Sequence, residues 1–183
     1  MTSLQGHFLA ASPHLGDPNF FRTVVLMIKH DAQGALGLVL TRPMQETVAE
    51  LWQRVTAETI ANTGSVHLGG PVNGPLVAIH RMASAAEAEV FDGVYFSAHS
   101  EQISRIVHQT KKPYLLFAGY SGWSGGQLEA ELEQGGWLIA PATTELVFSS
   151  TDDLWERVVQ SIGLAVLSPA IRTKHVPEDP TLN

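Results

Sequence analysis

Two adjacent apolar runs limit what this chain can become. Residues 23–30 (TVVLMIKH) are β-branched and continuous, residues 31–34 (DAQG) make a four-residue turn, and residues 35–41 (ALGLVLT) run back. The pattern predicts a β-hairpin. Both strands are apolar on both faces, which puts them at the centre of a sheet rather than half exposed. Arg42-Pro43 is expected to stop the second strand.

The rest of the chain supplies short strands and amphipathic helices in mixed order. Strands are expected at 6–11, at 66–72 as a strand end and turn, and at 76–80, 94–97, 114–118, 137–140 and 145–148; residues 82–89 read as a loop or one weak helical turn. Thr47 and Glu50 form a capping box for a helix over 48–58, and Ile103, Ile106 and Val107 give a helix over 100–109 its apolar side. Thr151 is expected to cap a last helix with Asp152 and Asp153 at its positive end and Gly163 just past its finish. From Ser168 the sequence has three prolines and no periodicity, so a loose tail over 168–183 follows a domain over 1–167. The fold class is α+β: one domain, with a mixed, largely antiparallel and strongly curved sheet and three to four flanking helices.

Composition removes whole classes of function. At 183 residues and 44% hydrophobic the chain suits one domain burying about 70% of its unfolded surface. No apolar run approaches the ~20 residues of a bilayer span and no signal-peptide pattern opens the chain, so a soluble cytoplasmic protein without membrane contact is expected. The absence of cysteine excludes disulfides and thiolate chemistry. A net charge of −7 disfavours direct nucleic-acid binding, because that field repels phosphate.

The most unusual local sequence is residues 118–138 (AGYSGWSGGQLEAELEQGGWL). It reads as strand, glycine loop and acidic helix over about 125–134, with Ser124 and Gln127 as N-cap and N3 of a capping box. Gly119, Tyr120, Gly122, Trp123, Ser124, Gly126, Gln127 and Glu129 are the candidate residues here, either as a tight joint packed on Trp123 or as an anion cradle at a helix start. Gly122-Trp-Ser-Gly-Gly126 also matches the G-x-S-x-G elbow of serine hydrolases, followed in order by Asp152, Asp153 and His175. Five residues separate this serine from the end of its expected strand, however, whereas an elbow serine sits at the turn itself. Asp17, Asn19 and Arg22 offer an acid, an amide and a guanidinium in one loop, first read as a turn bonded by its own side chains. The eight histidines show no i, i+4 pair or H-E-x-x-H, so no metal and no cofactor are assigned.

Several of these segments together resemble the YqgE/AlgH family of bacterial proteins: residues 6–10 and 17–26, His30 with residues 34–43, Gly69-Gly-Pro-Val72, and residues 119–129 (GYSGWSGGQLE). The resemblance covers about residues 6–165 in order and implies a small α+β domain of undetermined biochemical activity. The family's label of transcriptional regulator rests on association rather than on a recognised DNA-binding motif. Its motif does not require serine at position 124, and the Pro-rich end from Ser168 departs from its usual small-residue finish. The leading expectation is a non-enzymatic protein that binds an unidentified small molecule or protein partner, with a role in regulating gene expression. A direct DNA-binding regulator and a serine hydrolase using Ser124 stand behind it, and the sequence leaves oligomeric state open.

Overall fold

The computed structural model describes residues 2–109, 111 and 113–172, with side chains through residue 164. Strand β1 (His7–Ala11) leads to the expected hairpin of β2 (Val24–Asp31) and β3 (Gly34–Val39), which sets Val25 opposite Val39 and Leu26 opposite Leu38. Strand β3 ends before Arg42, but Pro43 then opens β4 (Pro43–Thr47) instead of breaking the sheet. Proline is tolerated at the first residue of an edge strand because it withholds no ladder donor there. Helix α1 (Val48–Thr56) carries the full Thr47–Glu50 capping box.

Next come β5 (Ser65–Leu68) and β6 (Val72–His80), the latter starting well before the expected residue 76. Within residues 82–89 the chain makes a short 3-10 turn at Ala83–Ala85 and enters β7 (Ala88–Phe91), paired with β8 (Val94–Ser97). Helix α2 (Ser100–Val107) buries Ile103, Ile106 and Val107 as its spacing requires. Then follow β9 (Tyr114–Ser124), α3 (Gln127–Glu133), β10 (Trp137–Pro141), α4 (Thr144–Val147) and α5 (Leu154–Arg172).

Four late expectations are corrected. Residues 145–147 belong to the α4 turn and Phe148 caps it, rather than forming a strand: the Leu146 N–H donates to the Thr143 hydroxyl at 3.3 Å, and the short apolar run of Leu146, Val147 and Phe148 carries no period that separates strand from helix. Gly163 lies inside α5 rather than past its end, since a glycine weakens a helix without terminating it unless the backbone turns left-handed, and Gly163 has no positive φ. The Leu154 N–H meets the main-chain carbonyl of Thr151, not its side chain. The helix thus reaches Arg172, so residues 168–172 of the loose tail expected over 168–183 are helical instead, and the remainder, 173–183, lies outside the described residues.

The sheet runs β10-β1-β2-β3-β9-β6-β8-β7, with β5 also on β9 and β4 on β5; among the described strands only β5–β9 is parallel. One face of the central strands presents Phe8, Val24, Leu26 and Leu38 to Val147, Leu154 and Val158 of α4 and α5. The other presents Leu9, Val25, Met27 and Val39 to Trp123, Leu128 and Trp137. This is why the hairpin is apolar on both sides. A third cluster seats α1 and α2 on β5, β6 and the first half of β9. The sheet curls into a half-barrel, and among the described residues no helix is long and apolar enough to cross a membrane.

His80, fully buried at the end of β6, fastens the 3-10 turn. Its Nδ1 accepts the Met82 N–H at 3.2 Å, so Nε2 carries the proton and donates to Ser97 Oγ at 3.0 Å, and the Ser97 hydroxyl donates in turn to the Ala85 carbonyl at 2.6 Å. Burial lowers the His80 pKa from 6.5 to about 4. The unfolded chain therefore binds this proton first: stability is fully present above about pH 6.5 and declines toward pH 4 by roughly 3 kcal/mol. Burial of His67 acts in the same direction. Urea titrations between pH 7 and 4.5 should show this loss, and His80→Gln should flatten it whatever its stability at pH 7.

Candidate functional site

The stretch read as a glycine loop is strand. β9 continues through residues 119–124, and its second half pairs with β3, Ala35 opposite Trp123 and Gly37 opposite Ser121. A left-handed Gly119 (φ 73°) makes this possible, bending the strand so that it leaves β5, keeps a last pair with β6 at Tyr120 and Val72, and joins β3 from Ser121 onward. A Cβ at this position would lie 2.7 Å from the Val72 carbonyl oxygen. The helix start is displaced accordingly: Gly126 is the N-cap, without a side-chain bond, and α3 begins at Gln127. Half of the expected box survives, since Gln127 Oε1 accepts the Ser124 N–H at 3.1 Å and its hydroxyl at 3.2 Å. Neither bond involves a histidine or an aspartate, and His175 lies outside the described residues.

Trp123 is held from both ends. Its ring stacks on Phe20 with centroids 6.0 Å apart and meets Trp137 edge-on at the same distance, while Phe20 packs on Trp137 at 5.2 Å. Glu131 Oε2 accepts both indole N–H groups, from Trp123 at 3.0 Å and Trp137 at 2.8 Å, and its other oxygen accepts from Gln127 at 3.1 Å. Glu129, two residues earlier in α3 and therefore on another side of the helix, faces a different partner. The Leu4 N–H donates to His30 Nδ1 at 3.1 Å, which leaves the proton on Nε2 to donate to Glu129 at 2.7 Å. Its own backbone N–H and this ring hold the Glu129 carboxyl below the usual range. Tyr120 is half-buried opposite Val72 of β6, and Gly122 is exposed on the strand. Among the described residues no three His, Asp or Glu side chains converge as a metal site requires.

The 17–22 loop divides its residues among separate jobs. Asp17 Oδ1 accepts the Asn19 N–H at 2.8 Å, the self-bonded turn expected from the sequence. Phe20 inserts between the two tryptophans, whereas Arg22 turns to α5, pairing with Glu156 and lying 4.8 Å over the Trp155 ring. Arg22 is therefore not grouped with the β9 residues.

A surface cleft of about 190 Å³ instead gathers parts of several distant segments: Pro18, Asn19, Val39, Arg42, Leu68, Gly70 and Pro71. Gly70 in its lining is held against β9 by close approach, because a Cβ there would fall 2.3 Å from Ser121 Oγ and 2.4 Å from the Tyr120 carbonyl. Around it stand exposed apolar side chains: Phe21 (59%), Leu68 (46%) and Val72 (37%). Arg42, Leu68 and Pro71 were not among the sequence candidates. The available signal was the quoted Arg42-Pro43 and Gly69-Gly-Pro-Val72 segments, which read as strand punctuation until the fold brings them together.

Fold and site together describe a single-domain α+β protein with a half-barrel sheet and an open, partly apolar surface cleft. A family model described as AlgH-like matches residues 8–167, and the chain belongs to that family. It is 37% identical over 169 residues to the UPF0301 protein of Chlorobium limicola, covering 86% of each chain, and 33% identical over 175 residues to UPF0301 protein IL2218 of Idiomarina loihiensis, covering 91% of this chain and 95% of that one. The solution structure of the AlgH protein from Pseudomonas aeruginosa superposes with a TM-score of 0.74 at 27% identity over 97% of both chains. Protein DIP2367 from Corynebacterium diphtheriae shares the fold, with a TM-score of 0.71 at 24% identity and 88% coverage of each.

Removing the Trp123 ring should empty the space between Phe20 and Trp137 and strip Glu131 of one donor. Trp123→Ala is expected to cost ~3 kcal/mol or more by chemical denaturation. An unchanged midpoint would mean that the indole is dispensable to the fold.

Proposed function

We propose that this protein works by binding rather than by catalysis, and that the cleft bounded by Asn19, Arg42, Leu68 and Pro71 is where a protein partner docks. One observation carries the proposal. Segments 17–19, 39–42 and 68–71, remote in sequence and mostly within the stretches that carry the family resemblance, meet at one open surface. Gly70, one of the lining residues, is packed against Tyr120 and Ser121 of β9. The polar groups that could serve catalysis are committed to structure: buried His80 and Ser97 bond each other and the backbone, buried His30 bonds Glu129, and the exposed Ser124 bonds Gln127. By contrast, Phe21, Leu68 and Val72 expose apolar surface beside the cleft, a disposition suited to a partner. A small molecule filling the cleft alone would leave those flanks bare. On this reading any influence on gene expression passes through the partner, consistent with a net charge of −7 that opposes direct contact with DNA.

Leu68→Asp tests the proposal, since an exposed position should tolerate the change within about 0.5 kcal/mol. Native purification of wild type and variant, with mass spectrometry of bound proteins and small molecules, should yield a partner retained by the wild type and lost from the variant at unchanged melting temperature. Equal retention by both proteins would overturn the docking site.

A further inference from the structure

The chemistry of the cleft narrows what it takes. Arg42 Nη2 donates to the Phe21 carbonyl at 2.6 Å, and its other guanidinium N–H groups have no partner among the described residues. Arg22, Arg54 and Arg157 each hold a carboxylate, from Glu156, Glu46 and Asp153, whereas Arg81 and Arg105 bond uncharged oxygens of Gly93, Ser84 and Gln102. Among the described residues Arg42 likewise holds no carboxylate, although acids outnumber bases 18 to 11 in the chain, and it is the one of these that lines the cleft. The nearest acid in sequence on the lining loop, Asp17, uses Oδ1 on the Asn19 N–H and makes no ion pair with Arg42. The Asn19 side-chain amide is likewise without a partner among the described residues, and it lines the same cleft. Two sets of donors thus face a hollow whose remaining walls are Pro18, Val39, Leu68 and Pro71.

The carbonyl bond matters as much as the free donors. It anchors one edge of the guanidinium, so the planar group enters an interaction with part of its rotamer entropy already lost. Such a fork matches a carboxylate in geometry and charge. A lone small anion would leave Leu68, Phe21 and Val72 exposed, whereas a peptide strand can set a carboxylate on the fork and apolar side chains on the flanks.

Resting on the docking role proposed above, we infer that the partner is an extended protein segment carrying an Asp or Glu flanked by apolar residues, whose carboxylate is read by Arg42 with help from Asn19. Because the charge is partly exposed, binding should weaken as salt rises. Apolar contact with Leu68 supplies the salt-insensitive remainder.

The test is a 15N NMR titration of the whole protein with acetyl-Leu-Asp-Leu-Leu-amide and, separately, its Asn counterpart. The acidic peptide should shift Leu68, Gly70 and the Arg42 Nε–H, and the Asn peptide should bind about tenfold more weakly or worse. Arg42→Gln should abolish that preference, and Arg42→Lys, which keeps the charge and can still reach the Phe21 carbonyl, should restore part of it. Equal binding of both peptides at the cleft overturns carboxylate recognition while leaving the docking role intact. Acetate perturbing the same resonances as strongly as the acidic peptide overturns it in favour of a small-anion site. No shift with either peptide up to about 5 mM, where even a ~1 mM affinity would register, also overturns it. Failure of the docking role is read separately, from the Leu68→Asp comparison.

Discussion

Strand β9 is the interaction on which the rest of the molecule depends. Among the described strands it alone pairs with three others: β6 and β5 along its first half, and β3 along its second. Without it the β1–β2–β3 group, with β10, and the β6–β7–β8 group would meet only through weaker packing. The change of partner requires a bend without a break. Gly119 supplies the left-handed residue, and Gly69 fits so closely that a Cβ on it would lie 2.3 Å from the Gly119 carbonyl oxygen. Backbone bonds fix the crossing, with Gly69 donating to Ala118 at 2.9 Å and accepting from Val39 at 2.9 Å.

That crossing also explains where the surface cleft lies. The glycines that let the chains approach leave no side chains above them, so a hollow remains between the Pro18–Asn19 turn, Arg42 and Pro71. The tryptophan clamp lies on the same sheet half but does different work. Glu131 ties Trp123 of β9 to Trp137 of β10, and Phe20 between them anchors the 17–22 loop, one wall of the cleft. The residues that attract notice in the sequence therefore build and brace the site, and less conspicuous ones line it.

Much of the fold was legible. The hairpin, its central position, the Thr47 capping box and the buried stripe of α2 follow from short-range patterns, and the structure bears them out. What local sequence could not convey was pairing at a distance. Glycines at 119, 122, 125 and 126 look like a loop because nothing nearby reveals that β3 waits to bond residues 121–124. The three apolar residues after Glu145 are equally silent between strand and turn, and Gly163 shows that a glycine near a plausible helix end need not be its end. For the site, the self-bonded Asp17 turn and the packed Trp123 were readable, whereas the cleft was not, because Asn19, Arg42 and Leu68 become neighbours only through the sheet order.

The most direct measurement is native-state hydrogen exchange resolved to single amides along residues 114–124. If β9 is one bent strand shared by both sheet halves, the amides that bond β3 beyond Gly119 should be protected to about the same free energy as those that bond β6 before it, near the global stability. Exchange of the second half at rates typical of a solvated loop, with the first half still protected, would show that the strand stops at the glycine and would remove both the joint and the strand against which Gly70 of the cleft is packed.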